Sequence, residues 1–170
     1  RLALALVEKK FEEAMKKPVG EGIHIVESAA NMEMIWCKPG TFMMGSPESE
    51  EGREKDEAQH KVTLTEGFYL GKYEVTQEEY EKVMGENPSK FKGKKLPVEM
   101  VSWNDAMEFC KRLTGLEKKE GRVPDGWNYV LPTEAQWEYA CRAGTATAYP
   151  WGNDINSSRA NYNWVDRWNS

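Results

Sequence analysis

The 170 residues suffice for one domain with a hydrophobic core. Its residues are 39% hydrophobic and 30% charged, and its net charge of −5 excludes the basic composition typical of nucleic-acid-binding domains. No apolar run approaches the roughly 20 residues that a membrane-spanning helix needs, so no membrane span is expected.

The N-terminal segment is predicted to be a helix from Arg1 to Lys17, ended by Pro18. Helical spacing places several apolar residues on one face of it: Leu4, Val7, Phe11, Ala14 and Met15. Because the first residue is Arg1 and not Met, we expect a fragment or a processed chain. Residues 1–30 are therefore predicted to form an N-terminal helix and linker, and residues 31–170 the globular body.

The body opens with predicted strands. Met32–Trp36 and Thr41–Met44 flank a Pro-Gly turn, and a charged loop follows over residues 47–59. That loop lacks the ligand spacing of an EF-hand, so a solvated loop is preferred to a calcium site there. Further strands are predicted at Lys61–Thr65, Phe68–Val75 and Pro97–Val101, which are rich in aromatic and β-branched residues.

Three helices are predicted from their N-terminal caps. Thr76 with Glu79 forms a capping box, and the helix ends at Gly85. Ser102 caps a second helix that Gly115 closes, with an apolar stripe at Trp103, Ala106, Met107, Cys110 and Leu113. Thr133 with Gln136 opens a third, which places Trp137 and Cys141 on an apolar face and ends at Gly144. We expect Trp137 to be a core anchor.

The metal-binding residue types are sparse. The three cysteines, Cys37, Cys110 and Cys141, show no C-x-x-C spacing, and His24 and His60 are far apart. Cys110 and Cys141 fall on apolar helix faces and are expected to pack as inert thiols. A histidine-based metal centre is therefore not expected, and short strands, short helices and long loops indicate an α+β fold.

Five segments in order resemble the sulfatase-modifying factors, the formylglycine-generating enzyme family. They are residues 34–46 (MIWCKPGTFMMGS), 73–80 (YEVTQEEY), 97–106 (PVEMVSWNDA), 130–144 (VLPTEAQWEYACRAG) and 149–152 (YPWG). The resemblance covers Asn31 to about Asn163 and implies a C-type-lectin-like fold with little regular secondary structure. Val130 stands where the family usually has Arg, and Gln136 where it usually has Glu.

The motifs of the family's second half (GNVWEW, RGGS and a closing GFR) do not occur in this sequence. The resemblance therefore implies a domain that is incomplete at its C-terminus. In formylglycine-generating enzymes the catalytic cysteine pair, which binds copper, lies in that second half. Two thiolates suit Cu(I), so copper is expected here only if a missing C-terminal half carries such a pair. The resemblance matches Cys110 and Cys141 to structural cysteines with downstream disulfide partners.

The resemblance also suggests structural calcium in the loops after residue 152. Ala160-Asn161-Tyr162 matches a family triplet, so the side-chain oxygen of Asn161 and the carbonyl of Tyr162 are the candidate metal ligands. Calcium takes six to eight oxygens, which irregular loops can supply. The alternative is that Asn161 is a turn residue that hydrogen-bonds its own backbone.

Two functions remain open at this point. The first is a binding or scaffold module whose lectin-like fold holds a protein, peptide or glycan. The second is the N-terminal half of a formylglycine-generating oxidoreductase, which oxidises a substrate cysteine with copper and dioxygen. A cysteine pair near the end of the downstream sequence would favour the enzyme.

Overall fold

A computed structural model describes residues 2–8 and 32–154 of the chain. Its elements are six strands and three helices, arranged as an antiparallel sheet, a separate hairpin and helices that pack around them. This mixture of helix and antiparallel sheet confirms the predicted α+β class. No helix of the described residues is both long and apolar enough to cross a bilayer.

The main sheet has four strands in the order β2-β5-β1-β6, and all neighbours are antiparallel. The strands are β1 (Ala5–Glu8), β2 (Met34–Cys37), β5 (Phe68–Gly71) and β6 (Trp127–Val130). Ala5 lies opposite both Leu70 and Val130, so β1 is an inner strand.

The predicted N-terminal helix is wrong over Ala5–Glu8, because these residues form β1. A short apolar run fits a buried strand as well as a helix, and here pairing on both sides decides the outcome. Leu4, Ala5 and Leu6 are almost completely buried as a result. Residues 9–31 lie outside the described part of the chain, so the boundary near residue 31 stays a prediction.

The second sheet is a hairpin of β3 (Gly40–Met44) and β4 (His60–Leu64). The charged segment between them consists of turns, and its ends are held together by the Ser46 N–H, which donates to Glu57 O at 3.0 Å. The strands predicted at 32–36, 41–44 and 61–65 are thus confirmed with small shifts of their ends, whereas the one predicted at 68–75 is confirmed only over Phe68–Gly71. The strand predicted at 97–101 is wrong: only Pro97 forms a bridge there, opposite Thr76.

The helices are α1 (Gln77–Met84), α2 (Trp103–Lys119) and α3 (Glu134–Arg142). The predicted capping boxes at Thr76, Ser102 and Thr133 are all present. Two predicted ends are wrong. Helix α2 continues through Gly115 to Lys119, and α3 is capped by left-handed Ala143, one residue before Gly144.

The core lies between the main sheet, α1 and α2. Tyr80 of α1 stacks on Phe109 of α2 with ring centroids 5.3 Å apart. On the sheet, Trp36, Tyr69 and Trp127 from three strands form an aromatic cluster with centroids 4.9–6.4 Å apart. Trp36 and Trp127 therefore act as the anchors expected of tryptophan.

Candidate functional site

The loop between α1 and α2 is organised by one buried side chain, that of Gln77. Its side chain is 1% exposed and makes four hydrogen bonds. The amide nitrogen donates to Phe91 O at 2.7 Å and to Pro97 O at 3.4 Å. The amide oxygen accepts from Asn87 Nδ2 at 2.9 Å and from the Gly93 N–H at 3.0 Å. Four separate points of the loop are therefore fixed to the first residue of α1.

The start of α1 also holds the loop through its backbone. The first N–H groups of a helix have no intrahelical partner. Here the N–H of Gln77 donates to Leu96 O and that of Glu78 donates to Lys94 O. The loop thus satisfies the helix, and the helix fixes the loop.

A second polar side chain, Glu99, fixes the other end of the loop. Its Oε1 accepts from the N–H groups of Lys90 and Phe91. The N–H of Glu99 donates to Ser89 Oγ at 3.1 Å, and Ser89 is 1% exposed. Residues 89–91 and residue 99 are therefore neighbours in space.

This ordered backbone carries large apolar side chains that face solvent. Phe91 is 69% exposed, Met100 70% and Trp103 68%. Leu96 and Met107 are exposed as well, and Met107 lies one turn after Trp103 on the same face of α2. We call Phe91, Met100 and Trp103 the exposed apolar set. The predicted stripe of α2 is wrong at Trp103 and Met107, because α2 instead buries Ala106, Phe109, Cys110 and Leu113 against α1 and the sheet.

Met100 has an unfavourable backbone conformation. Its φ is +61°, a left-handed value that few residues other than glycine adopt, at a cost of about 1–3 kcal/mol. The hydrogen bonds of Glu99 on one side and the Ser102 cap on the other hold it there. Strained residues of this kind concentrate at functional sites, which directs attention to this surface.

Helix α3 is attached to the β3–β4 hairpin by a charged contact. The N–H of Gly45 donates to Glu138 Oε1 at 2.8 Å, and Arg142 Nη2 donates to the carbonyl of Gly45 at 2.8 Å. Arg142 also pairs with Glu138 at 2.8 Å. Gly45 has φ +86°, and a Cβ atom there would lie 2.8 Å from Glu57 O. Two of the recognised segments, residues 34–46 and 130–144, are thus joined in space by this contact.

The same helix packs on the hairpin through Tyr139. Its ring meets Phe42 edge-on at 5.3 Å, and its hydroxyl lies where a Cβ of Gly40 would stand, only 2.3 Å away. Trp137 faces the other way and is 52% exposed. The expectation that Trp137 is a core anchor is therefore wrong, because α3 packs through Glu138, Tyr139 and Arg142.

The three cysteines are free thiols. Burial raises the pKa of Cys110 to about 12 and that of Cys37 to about 11, so both stay protonated at neutral pH. The prediction of inert packing is confirmed for Cys110, which is 2% exposed, and is wrong for Cys141, which is exposed.

No group of three or more His, Cys, Asp or Glu side chains that could hold a metal ion occurs in residues 2–8 and 32–154. Asn161 and Tyr162, the predicted calcium ligands, lie outside the described residues, as does His24. Calcium therefore stays a prediction. His60 is exposed, and its Nδ1 lies 2.8 Å from Ala58 O.

A cleft of about 420 Å³ lies where β5 leads into α1. Its polar groups already have partners: Glu79 accepts from the Thr76 N–H, and Lys95 pairs with Glu78 at 2.5 Å. Glu79 and Lys95 are therefore already occupied within the protein. For this reason the exposed apolar set is a stronger candidate than the cleft for binding a ligand.

Sequence reasoning did not assign the roles of Gln77, Glu99, Glu138 and Arg142. It placed all four within the recognised segments but read those segments only for helix caps and apolar spacing. A polar residue directly after an N-cap, facing a loop with Asn-Pro and Lys-Leu-Pro turns, was the available signal for Gln77.

The sulfatase-modifying factor enzyme 1-like domain family matches residues 24–170. The chaperone protein LppX of Paenibacillus barcinonensis is 43% identical over 108 residues, which covers 49% of this chain and 38% of that protein. The mouse formylglycine-generating enzyme is 40% identical over 67 residues, covering 39% of this chain and 14% of that enzyme. The mouse protein named inactive C-alpha-formylglycine-generating enzyme 2 is 42% identical over 67 residues, covering 39% and 17%.

Among solved structures, PvdO from Pseudomonas aeruginosa has a similar fold, with a TM-score of 0.64 and 30% identity. The match covers 83% of this chain and 57% of PvdO. The chain thus spans little more than half of this structural relative and less than half of the curated relatives it matches.

Proposed function

The chain belongs to the family of sulfatase-modifying factor enzyme 1-like domains, and within that family we propose that it is a module that binds polypeptide segments. The binding surface is the exposed apolar set, Phe91, Met100 and Trp103. This proposal makes it a protein-binding member of the family rather than a glycan-binding one.

The observation that carries the proposal is a rigid backbone under exposed apolar side chains. Buried Gln77 and half-buried Glu99 fix the loop by direct hydrogen bonds, while Phe91, Met100 and Trp103 remain about two-thirds exposed. A fixed backbone loses little conformational entropy on binding, so more of the apolar contact energy appears as affinity. Aromatic side chains are the residues that most often supply such contacts.

The name of one relative agrees with this reading. LppX is named a chaperone protein, which supports a role in binding other proteins. The backbone strain at Met100 is consistent with a surface kept for binding, because a glycine there would remove the strain and the side chain together.

The test is binding of a permanently unfolded protein, reduced and carboxymethylated α-lactalbumin, measured by fluorescence anisotropy. Trp103→Ala should weaken binding by about tenfold or more, the loss typical of a central aromatic contact. Trp137→Ala is the matched control, because Trp137 is also exposed but lies on α3. Equal effects of the two substitutions, or none from Trp103→Ala, would contradict the proposal.

A second candidate is the N-terminal half of a formylglycine-generating oxidoreductase. The matches to proteins of that name favour it, but a protein named inactive matches over an equal length with similar identity. Copper would need a cysteine pair beyond the described residues. Aldehyde formation on a Cys-x-Pro-x-Arg peptide, by a longer chain that carries such a pair and is loaded with copper, would establish this alternative.

A further inference from the structure

The loop beneath the exposed apolar set is strongly basic, although the chain as a whole is acidic. Residues 87–101 contain four lysines and one glutamate, whereas the net charge of the chain is −5. The only carboxylate of this segment, Glu99, already accepts two backbone N–H groups. Positive charge is therefore concentrated next to Phe91 and Met100.

Two of the four lysines are held by other groups. Lys92 donates to Asn87 O at 2.8 Å, and Lys95 pairs with Glu78 at 2.5 Å. Lys90 and Lys94 are exposed, and neither forms an ion pair within the described residues. The ammonium of Lys90 lies 5.7 Å from the ring centre of Phe91, which places a positive charge directly beside an exposed aromatic ring.

The position of Lys94 is fixed by its backbone. Its carbonyl accepts from the N–H of Glu78, and the neighbouring Gly93 is held by Gln77. Lys90 and Lys94 thus leave a hydrogen-bonded backbone one residue before and three residues after Phe91. A ligand that covers Phe91 therefore meets the charge of Lys90 beside the ring, and Lys94 adds a second charge from the same loop.

We infer that the segments recognised by this surface are acidic as well as apolar, with Asp or Glu close to large apolar side chains. The inference rests on the proposed polypeptide-binding function and names its ligand class. Charge complementarity at the edge of an apolar contact raises the association rate and selects between ligands of equal hydrophobicity.

An acidic polypeptide fits better than an anionic membrane. A bilayer is a broad surface that meets the charge of the whole molecule, which is negative. A short peptide meets only charges within about a Debye length, roughly 8–10 Å, and the loop that carries Phe91 contributes four lysines and one glutamate to that region. The local charge therefore favours a polypeptide.

The experiment uses the 170-residue chain and three fluorescein-labelled peptides with the same Leu and Phe residues. Their remaining positions are Glu in the first, Gln in the second and Lys in the third. At low salt the Glu peptide should bind best, and its affinity should fall as sodium chloride is added. Lys90→Gln with Lys94→Gln should weaken the Glu peptide by about three- to tenfold, as two exposed charge contacts imply, and leave the Gln peptide unchanged.

Lys118→Gln with Lys119→Gln is the matched control, since these exposed lysines lie at the far end of α2. Binding of all three peptides with equal affinity, still lost in Trp103→Ala, would overturn the acidic preference and leave the proposed function intact. If the folded chain binds none of the peptides and no unfolded protein, both ideas fail. Binding to phosphatidylserine vesicles through Lys90 and Lys94, without peptide binding, would replace the polypeptide with a membrane.

Discussion

Replacing Gln77 with Ala should release the α1–α2 loop while leaving most of the core in place. The side chain is 1% exposed and joins α1 to Asn87, Phe91, Gly93 and Pro97. Removal leaves two backbone carbonyls, one backbone N–H and one amide group without these partners. The loop must then find water for them, and it can do so only by moving away from α1.

The expected cost follows from those contacts. Three of the four bonds measure 2.7–3.0 Å and the fourth measures 3.4 Å, so three are counted in full. At about 1 kcal/mol net for each hydrogen bond, the loss is about 3 kcal/mol. The small cavity adds to this, and hydration of the released loop subtracts from it, so we expect a loss of about 2–4 kcal/mol in the free energy of unfolding.

The assay is a urea titration followed by far-ultraviolet circular dichroism, with Gln59→Ala as the control because Gln59 is exposed. Exchange of the Gly93 amide hydrogen should also accelerate in Gln77→Ala, since its acceptor is lost. Binding to the unfolded test protein should weaken even though the exposed apolar set is unchanged. A stability loss below about 1 kcal/mol, with Gly93 exchange unaltered, would refute the assignment of Gln77 as the organiser of the loop.

The other predictions concern the remaining contacts. Arg142→Lys should cost about 1.5–3 kcal/mol in chemical denaturation, because Lys cannot reproduce both bonds to Gly45 and Glu138; an unchanged midpoint would contradict this. Trp137→Ala should cost less than about 1 kcal/mol, whereas Phe109→Ala, at a fully buried site, should cost about 3–5; the reverse order would show the burial to be misassigned. Burial raises the pKa of Cys110 from 9.0 to about 12, so the buried neutral thiol contributes to stability. This contribution is complete below pH 9.0 and is lost as the pH rises through about 12. Stability should therefore fall less steeply above about pH 9 in Cys110→Ala than in the parent, and identical slopes would argue against a buried thiol.

Local chemistry explains which elements could be predicted. The capping boxes at Thr76, Ser102 and Thr133 depend on residues three positions apart, so the sequence alone locates the helix starts. Gly115 shows the limit of the same reasoning. A glycine inside a helix costs only about 1 kcal/mol, and burial of Leu113, Thr114 and Glu117 around it outweighs that cost, so the helix continues.

The rest depends on partners that are distant in the sequence. Whether Ala5–Glu8 is a helix or a strand is decided by residues near 70 and 130, which no local pattern reveals. The outward direction of Trp137 is likewise set by the bonds of Glu138 and Arg142 to Gly45, more than 90 positions away. The recognised segments predicted the family correctly, but the structure was needed to show that they hold loops and helices together.

The inner position of β1 has a consequence for how the chain folds. Its two neighbours in the sheet are residues 68–71 and 127–130, so β1 waits for a partner that is made more than 100 residues later. Contacts between such distant positions slow folding, because a long loop must close before they contribute. Until β6 emerges, the apolar stretch from Leu2 to Leu6 remains without its final pairing. The interval between synthesis of β1 and of β6 is therefore a period in which an unpaired apolar strand exposes a newly made chain to aggregation.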